Sequence, residues 1–192
     1  YRQLQFVQHK SLGFDQSQLL YVGLGGDLKA NAARLKRDLL AIPGVMAVSA
    51  TTSNLVNVAN AGPMTWEGQP PKAELSVTQM NVDPDFLATA GATLAAGRNF
   101  SNAMVSDTLD ETAARRMGWT PAQALGKKVT FWELEGRVVG VVKDFHFRPL
   151  TVPIEPFIFR YRPREFYFTL LVRTRPGQLA TVLPRLTHAY TR

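Results

Sequence analysis

Asp144 and His146 come closer than any other side chains of this sequence to forming an acid–base pair. They are two positions apart, so on a regular strand both would project from one face, where a carboxylate and an imidazole can share a proton. Catalysis would also need a nucleophile or a metal, and the chain has no Gly-x-Ser-x-Gly elbow. Phe145 and Phe147 would lie on the opposite face as core residues. A hydrolase stays open as an alternative, but a structural pair or cap at a strand end is favoured.

The residue types and their spacing do not favour a metal site or thiol chemistry. The chain has no cysteine, which removes disulfides, thiolate nucleophiles and cysteine-based metal sites together. His9, His146 and His188 are far apart in sequence, and none has a second histidine or a carboxylate four residues away. Two ligands on one helix face are therefore not available from these positions. We expect no metal, no cofactor and no catalytic residue.

A glycine-rich turn near the start of the chain invites comparison with phosphate-binding loops. Gly23-Leu24-Gly25-Gly26 follows an apolar run and precedes a helical pattern, and the amides at a helix N-terminus can bind anions. The spacing is neither Gly-x-Gly-x-x-Gly nor a loop that ends in Gly-Lys-Ser/Thr, and Asp27 would place negative charge where phosphate must bind. We expect a simple turn.

The positive charge of the chain is concentrated at its C-terminal end. The net charge is +7; residues 1–136 carry 12 Lys and Arg against 12 Asp and Glu, whereas residues 137–192 carry 10 against 3. Arg160, Arg162 and Arg164 alternate with other residues in an aromatic-rich segment, and they are the candidate interaction surface. Such a surface could meet nucleic acid, anionic lipid headgroups or an acidic partner, or simply face solvent. No zinc-finger spacing, RNP-like motif or GXXG loop accompanies it, so nucleic acid is not the expected partner.

The first half of the chain predicts a β-α-β unit. Residues 1–10 have a short helical pattern, and residues 19–24 form an apolar strand that turns at Gly26 into an amphipathic helix. Pro43-Gly44 ends that helix, and residues 45–52 alternate as a second strand. Residues 54–71 are rich in Asn, Gly and Pro, which predicts a long loop with Trp66 in one short extended piece.

The second half predicts a mixture of short helices and strands. Residues 74–82 alternate as a strand, and residues 126–132 form a hairpin with the strand at 138–150 through a tight connection at 134–136. Asp83 is expected to cap a short helix whose first residue is Pro84. The prolines at 153 and 156 restrict residues 153–159 to an edge strand or an extended crossing. The other predictions are a turn at 97–100, a helix over 109–118, a strand over 166–174 and a helix over 178–190.

The length and hydropathy of the chain are those of a globular fragment. It has 192 residues, and 45% hydrophobic content is enough to bury a core. No run approaches the roughly 20 apolar residues that cross a bilayer, and no signal-peptide pattern opens the sequence. Because the chain starts at Tyr1 rather than at methionine, we interpret it as an excised or processed piece.

The segment Lys143-Asp144-Phe145-His146-Phe147, at the end of an apolar strand, is the most specific local pattern in the chain. The segments that precede it in order are Pro43-Gly44-Val45, Trp66-Glu67-Gly68, Asp83 with Asp85-Phe86, Gly97-Arg98-Asn99-Phe100-Ser101 and Leu109-Asp110-Glu111-Thr112-Ala113. This ordered set resembles the extracytoplasmic domain of MacB/FtsX-type ABC transporter permeases, in a Bacteroidetes-like form. One departure is Asp110, where that family usually has Asn.

The resemblance implies an α+β fold with two lobes. Residues 1–82 and 161–192 would form a porter-like β-α-β lobe, and residues 83–160 an inserted mixed lobe. Such domains are non-catalytic and stand on the periplasmic side of the inner membrane, on the transmembrane helices of the permease. A cytoplasmic ATPase drives the transporter, and a periplasmic partner or a second permease copy completes the expected partners. The five residues from Lys143 to Phe147 would then be structural.

Three classes of function make different predictions. A transporter domain predicts hydrophobic helices on both sides of these residues in the parent gene and an ATPase encoded nearby. A hydrolase predicts a concave pocket that holds Asp144 and His146 beside a nucleophile. A nucleic-acid-binding module predicts steeply salt-dependent affinity through Arg160, Arg162 and Arg164.

Overall fold

The computed structural model describes residues 5–6, 18–26, 31–55, 58, 60–102, 105–146, 152–162 and 167–190. The strands are β1 (Gln5–Phe6), β2 (Leu19–Gly23), β3 (Val45–Thr51), β4 (Ala61–Trp66), β5 (Ser76–Asn81), β6 (Leu94–Gly97), β7 (Ser106–Asp110), β8 (Lys128–Phe131), β9 (Leu134–Val142), β10 (Phe157–Tyr161) and β11 (Thr169–Thr174). The helices are α1 (Ala32–Leu40), α2 (Phe86–Ala90), α3 (Glu111–Arg116), α4 (Pro121–Ala124) and α5 (Leu179–Tyr190).

The smaller sheet has four strands in the order β1-β2-β11-β3. Because β11 is antiparallel to both β2 and β3, those two strands are parallel, and α1 connects them as the predicted β-α-β unit. The helices α1 and α5 cover one face of this sheet. The buried residues there are Leu20, Val22, Leu24, Leu35, Leu39, Val48, Ala50, Leu170, Val172, Val182 and Leu186.

The larger sheet has seven strands in the order β6-β9-β7-β10-β5-β4-β8. Since β8 pairs with β9 as well as with β4, six of the strands form a ring, and β6 pairs with β9 beside it. The core on this side includes residues of α3 and α4. Its buried members are Met64, Trp66, Val77, Leu109, Ala113, Ala114, Met117, Ala124, Val129, Phe131, Val138, Val141 and Ile158.

An aromatic core joins the two sheets. Leu19, Tyr21 and Leu171 of the smaller sheet belong to the same buried cluster as Phe157 and Phe159 of β10. The helix α2 contributes Phe86, Leu87 and Ala90 to that cluster. Burial of each large apolar side chain contributes about 1.5–3 kcal/mol. The mixed architecture confirms the α+β fold class.

Several sequence predictions for the N-terminal half are wrong. Gln5–Phe6 pairs with β2 as a strand, although residues 1–10 have a helical pattern. The predicted loop at 54–71 contains β4, whose burial alternates strictly, with Met64 and Trp66 inside. Its Ala, Gly and Pro residues have low strand propensity, so neighbouring strands determine this conformation.

The helix after residue 83 also begins later than predicted. The N-cap of α2 is Asp85 rather than Asp83, and Pro84 precedes the helix. The Asp83 carboxylate accepts hydrogen bonds from the Asp85 amide, the Ser49 hydroxyl and the Ala50 amide at 3.1, 2.7 and 3.0 Å. Burial of Asp83 therefore depends on β3, which the local sequence does not reveal.

The predicted helix over 109–118 is shorter because β7 occupies its start. The helix α3 runs from Glu111 to Arg116, and Gly118, with φ +81°, follows it. The strands β6 and β7 have no counterpart among the predictions. β10 is an interior strand between β7 and β5 rather than an edge strand, since Pro153 and Pro156 precede its first residue.

The hairpin between β8 and β9 is confirmed, with a turn at Trp132–Glu133 rather than at 134–136. Both turn residues have positive φ, +47° and +64°, which a two-residue hairpin turn of this hand requires and which residues other than glycine seldom adopt. The strands β4 and β5, within residues 1–82, pair in the larger sheet, although the sequence division placed them in the porter-like lobe. The division into lobes stays a prediction.

Candidate functional site

Asp144 connects the end of β9 to the first turn of α3. Its carboxylate accepts hydrogen bonds from the amide and hydroxyl of Thr112 at 2.7 and 2.9 Å, and Arg115 is 3.4 Å away. The Asp144 amide donates to Glu111 at 3.1 Å. A carboxylate beside the N-terminus of a helix is favoured by the exposed amides there. The geometry is that of a structural cap.

The other described residues of the family signature divide between core and surface. Phe145 is buried, with ring centroids 5.2 Å from Phe157 and 5.4 Å from Phe159. Lys143 is exposed, and its amide donates to the Thr93 carbonyl at 2.9 Å. His146 is half-buried, and Phe147 lies outside the described residues. The signature thus attaches the end of β9 to the aromatic core and to α3.

Arg160 lies in the interior, so the structure corrects its assignment to an interaction surface. Its side chain is 2% exposed, and its Nε donates to Asp107, itself fully buried, at 2.9 Å. The guanidinium also donates to the carbonyls of Phe131 and Leu134 at 3.2 and 2.7 Å. These carbonyls flank the hairpin turn, so Arg160 holds the two ends of the turn together.

Arg162 shares the same buried carboxylate. Its Nη2 is 3.1 Å from Asp107, its Nη1 donates to the Ser106 carbonyl at 3.2 Å, and its side chain is 13% exposed. Arg164 lies outside the described residues. Two guanidinium groups around one carboxylate satisfy the desolvated charge of Asp107. The side chain of Arg160 and most of that of Arg162 are therefore withdrawn from any partner.

Gly136 of β9 makes room for this ion cluster. A Cβ atom at this position would lie 1.7 Å from Oδ2 of Asp107 and 3.0 Å from Nη2 of Arg162. No side chain can be accommodated at the first of these distances. A glycine in the strand therefore permits the carboxylate to approach the backbone.

Asp110 is a second buried carboxylate, at the N-cap of α3. Its Oδ1 accepts from the amides of Ala113 and Phe157 at 2.7 and 3.1 Å. Burial raises the pKa of Asp110 to about 8, against the lowering effect of those two hydrogen bonds. Its Oδ2 has no hydrogen-bond partner within the described part of the chain. The side chain thus holds a proton over much of the neutral range.

Asp110→Asn should change the pH dependence of stability. An aspartate whose folded pKa lies near 8 binds a proton that the unfolded chain releases near pH 4, so stability falls as pH rises toward 8. We expect the free energy of unfolding of Asp110→Asn, relative to the parent chain, to increase by about 2 kcal/mol between about pH 6 and pH 8. Urea denaturation at both pH values measures it.

The exposed Asp38→Asn provides the matched control for this titration. Its side chain is 56% exposed, so the difference between this variant and the parent chain should stay nearly constant over the same pH interval. Parallel pH profiles for Asp110→Asn and the parent chain would contradict a raised pKa at Asp110.

A third cluster of charges ties α1 to the segment before α2. The ammonium of Lys36 pairs with Asp83, and it is 2.6 Å from Asp85. Burial opposes the charged ammonium, but the two carboxylates outweigh it and raise the pKa of Lys36. Because Asp83 also bonds to Ser49, the cluster fixes the start of α2 against β3 and α1.

The carboxylates of Asp83, Asp107, Asp110 and Asp144 all accept hydrogen bonds from amides, hydroxyls or cationic side chains. Among the described residues, no group of three or more His, Cys, Asp or Glu side chains could hold a metal ion. A groove between α1 and α5 has a volume of about 780 Å³, and its lining includes neither Asp144 nor His146. In the same part of the chain, no helix is long and apolar enough to cross a membrane.

The ring of strands, the four-stranded sheet and the aromatic core between them make up an α+β domain. The family model of the MacB-like periplasmic core domain matches residues 4–188. The chain belongs to this family.

Solved structures share the fold. The periplasmic region of MacB from Actinobacillus actinomycetemcomitans is 17% identical with a TM-score of 0.62, over 93% of this chain and 85% of that one. The extracellular domain of the noncanonic ABC-type transporter YknZ from Gram-positive bacteria is 14% identical with a TM-score of 0.56, over 89% and 93%. No protein with a curated function matches in sequence. The domain is thus the periplasmic part of a MacB-like ABC transporter permease, a class that works with membrane helices and an ATPase.

Proposed function

We propose that this domain transmits ATP-driven movement of the permease's membrane helices to an exported substrate or to a periplasmic partner, and that it catalyses no reaction itself. It would stand on the periplasmic side of the inner membrane, next to the helices of its own permease and, through them, linked to a cytoplasmic ATPase. A periplasmic protein or a second permease copy would receive the movement.

The observation that carries this proposal is the core shared by the two sheets. The first and last described elements, β1 and α5, both belong to the layer of the smaller sheet. Phe157 and Phe159 of the larger sheet pack in one cluster with Leu171 of the smaller one. Packed cores transmit displacement because they deform little. A force that enters through the smaller sheet would therefore reach the larger one.

Two further contacts support transmission between the layers. The Lys36 cluster joins α1 to the start of α2, and α2 belongs to the shared core. Arg173 of β11 donates to the Thr89 carbonyl of α2 at 2.7 Å. Each contact joins the layer of the smaller sheet to α2 or the residues before it, and the Phe86 ring of α2 lies 4.9 Å from that of Phe159 in the larger sheet. Asp144 serves α3 as a cap, which favours a structural role over a catalytic one.

Flexible insertions test this function in the complete permease with its ATPase. A Gly-Ser segment of about six residues between each end of the domain and the adjacent membrane helix behaves as a random coil and cannot carry a directed force. We expect transport to fall strongly while ATP hydrolysis continues. Both activities are measured on the transporter reconstituted in vesicles.

The control for the flexible insertions is an alanine-rich helical insert of the same length, which keeps the connection stiff. It should preserve a larger share of transport than the Gly-Ser insert. Equal transport with the two inserts, at the level of the unmodified permease, contradicts mechanical transmission through this domain. Loss of ATP hydrolysis together with transport would also contradict it.

A further inference from the structure

The groove between α1 and α5 lies on the outer face of the smaller sheet, away from the core that joins the two sheets. Its residues come from one face of each helix and from the residues on either side of α1. They are Asn31, Arg34, Leu35, Asp38, Ala41, Ile42, Pro184, Arg185, His188 and Ala189. Their spacing of three or four along each helix places them side by side. The two helix faces therefore form the opposite walls of a channel over the sheet.

The floor and parts of the walls of this groove are apolar. Leu35 is buried, Ile42 and Ala189 are half-buried, and Ala41 and Pro184 are exposed. Pro184 lies inside α5, where its ring cannot donate the usual backbone hydrogen bond. A helix that keeps a proline there presents a rigid apolar surface to the groove. These residues offer a second apolar side chain a place to pack.

The rim of the groove carries more positive than negative charge. Arg34 and Asp38 on α1 form a pair at 3.9 Å, but their side chains are 75% and 56% exposed, so the pair is weak. Arg185 adds a second guanidinium to the rim, on α5. Two guanidinium groups face one carboxylate, which leaves an excess of positive charge along the rim.

We propose that this groove binds an amphipathic helix of a partner protein, and that the apolar face of that helix covers Ala41, Ile42 and Pro184. Acidic side chains on the flanks of that helix would meet Arg34 and Arg185. A helix fits because the walls are themselves helices, and an amphipathic helix recognises an apolar groove through residues at i, i+3, i+4 and i+7. This inference goes beyond the mechanical function and does not depend on it, since docking requires no nucleotide.

Selection from a peptide library tests the proposal with the 192-residue chain. The probe is a phage-displayed library of 14-residue helical peptides, about 21 Å long, with Leu and Ala on one face and random residues elsewhere. We expect the selected peptides to be enriched in Glu and Asp on the flanks. The best acidic peptide and its version with lysines in place of the acidic residues are then compared by fluorescence anisotropy.

Groove variants assign the binding site. Arg34→Glu combined with Arg185→Glu should weaken the acidic peptide by about tenfold or more, and Ala41→Trp, which fills the groove without changing charge, should weaken it similarly. The control Lys72→Glu combined with Arg116→Glu makes the same charge change on two exposed residues outside the groove lining and should alter affinity by less than about twofold. Circular dichroism checks that each variant is folded.

Several outcomes overturn the proposal. One is selection of basic or uncharged peptides, or of none. Another is binding that Arg34→Glu/Arg185→Glu and Ala41→Trp leave unchanged. A third is that the chain floats with vesicles of anionic phospholipid, that the groove charge reversal abolishes this flotation, and that no peptide binds. The groove would then serve a lipid surface.

Discussion

Phe159→Ala should lower the free energy of unfolding by about 4 kcal/mol, among the largest losses from a single truncation in this chain. The ring is fully buried, with centroids 4.7 Å from Phe157, 4.9 Å from Phe86 and 5.4 Å from Phe145. Its removal leaves a cavity where the two sheets and α2 meet, and the loss adds the cavity to the lost transfer energy. Urea unfolding followed by far-ultraviolet circular dichroism measures it.

The matched control is Phe168→Ala, which truncates a ring that is 44% exposed. We expect that variant to lose about 1 kcal/mol or less, because much of the ring already contacts solvent. If Phe159→Ala lowers the free energy of unfolding by less than about 2 kcal/mol, the neighbouring side chains fill the space of the missing ring. The contacts of Phe159 would then not be what holds the two sheets together.

Arg160→Met should destabilise the chain by about 3 kcal/mol. The substitution keeps much of the side-chain volume but removes the charge-assisted hydrogen bond to Asp107 and both bonds to the carbonyls of Phe131 and Leu134. Arg162 still pairs with Asp107, so the carboxylate keeps one partner. Urea unfolding of the variant against the exposed Arg116→Met, expected within about 0.5 kcal/mol of the parent chain, isolates the effect.

The double variant Asp107→Leu/Arg160→Met separates the ion pair from the volume of its side chains. An unpaired buried charge costs more than an apolar replacement of both partners, so the double variant should be more stable than the sum of the single losses predicts. If the two single losses simply add, the charges do not interact as the 2.9 Å contact requires.

The sequence predicted those elements whose signal is local. The alternating apolar pattern around Val48 and the stripe around Leu35 identified the β-α-β unit, and two apolar runs joined by a short connection identified the hairpin of β8 and β9. The ordered family motifs indicate a permease domain without any information on contacts between elements. The strand, helix and hairpin patterns each extend over fewer than about twenty residues.

The elements and sites that were missed depend on distant residues. β7 reads Ser-Asp-Thr-Leu-Asp yet is buried throughout, because the charge of Asp107 is satisfied by Arg160, which is 53 positions away. Lys36 and Asp83 are separated by 47 positions. A sequence pattern over a short stretch of residues cannot predict ion pairs between such distant positions. Buried charge is tolerated only when a partner arrives with the fold.

One signal in the sequence could have located Arg160 correctly. Phe157, Phe159 and Tyr161 alternate along β10, so Arg160 must lie with Ile158 on the other face. The prolines before this segment predict an edge strand instead, and an edge strand does not require a partner on each side. An interior strand would have required a carboxylate opposite Arg160.

The ring of strands affects whether copies of this domain can aggregate through their sheet edges. A strand that ends a sheet displays unpaired N–H and C=O groups, and these can recruit a strand from another chain and start aggregation. The strand β8 would be such an end, but residues Val129–Phe131 pair with β4 on one side and with β9 on the other. Both of its backbone edges are thereby occupied, so neighbouring permeases can crowd together without joining through this strand.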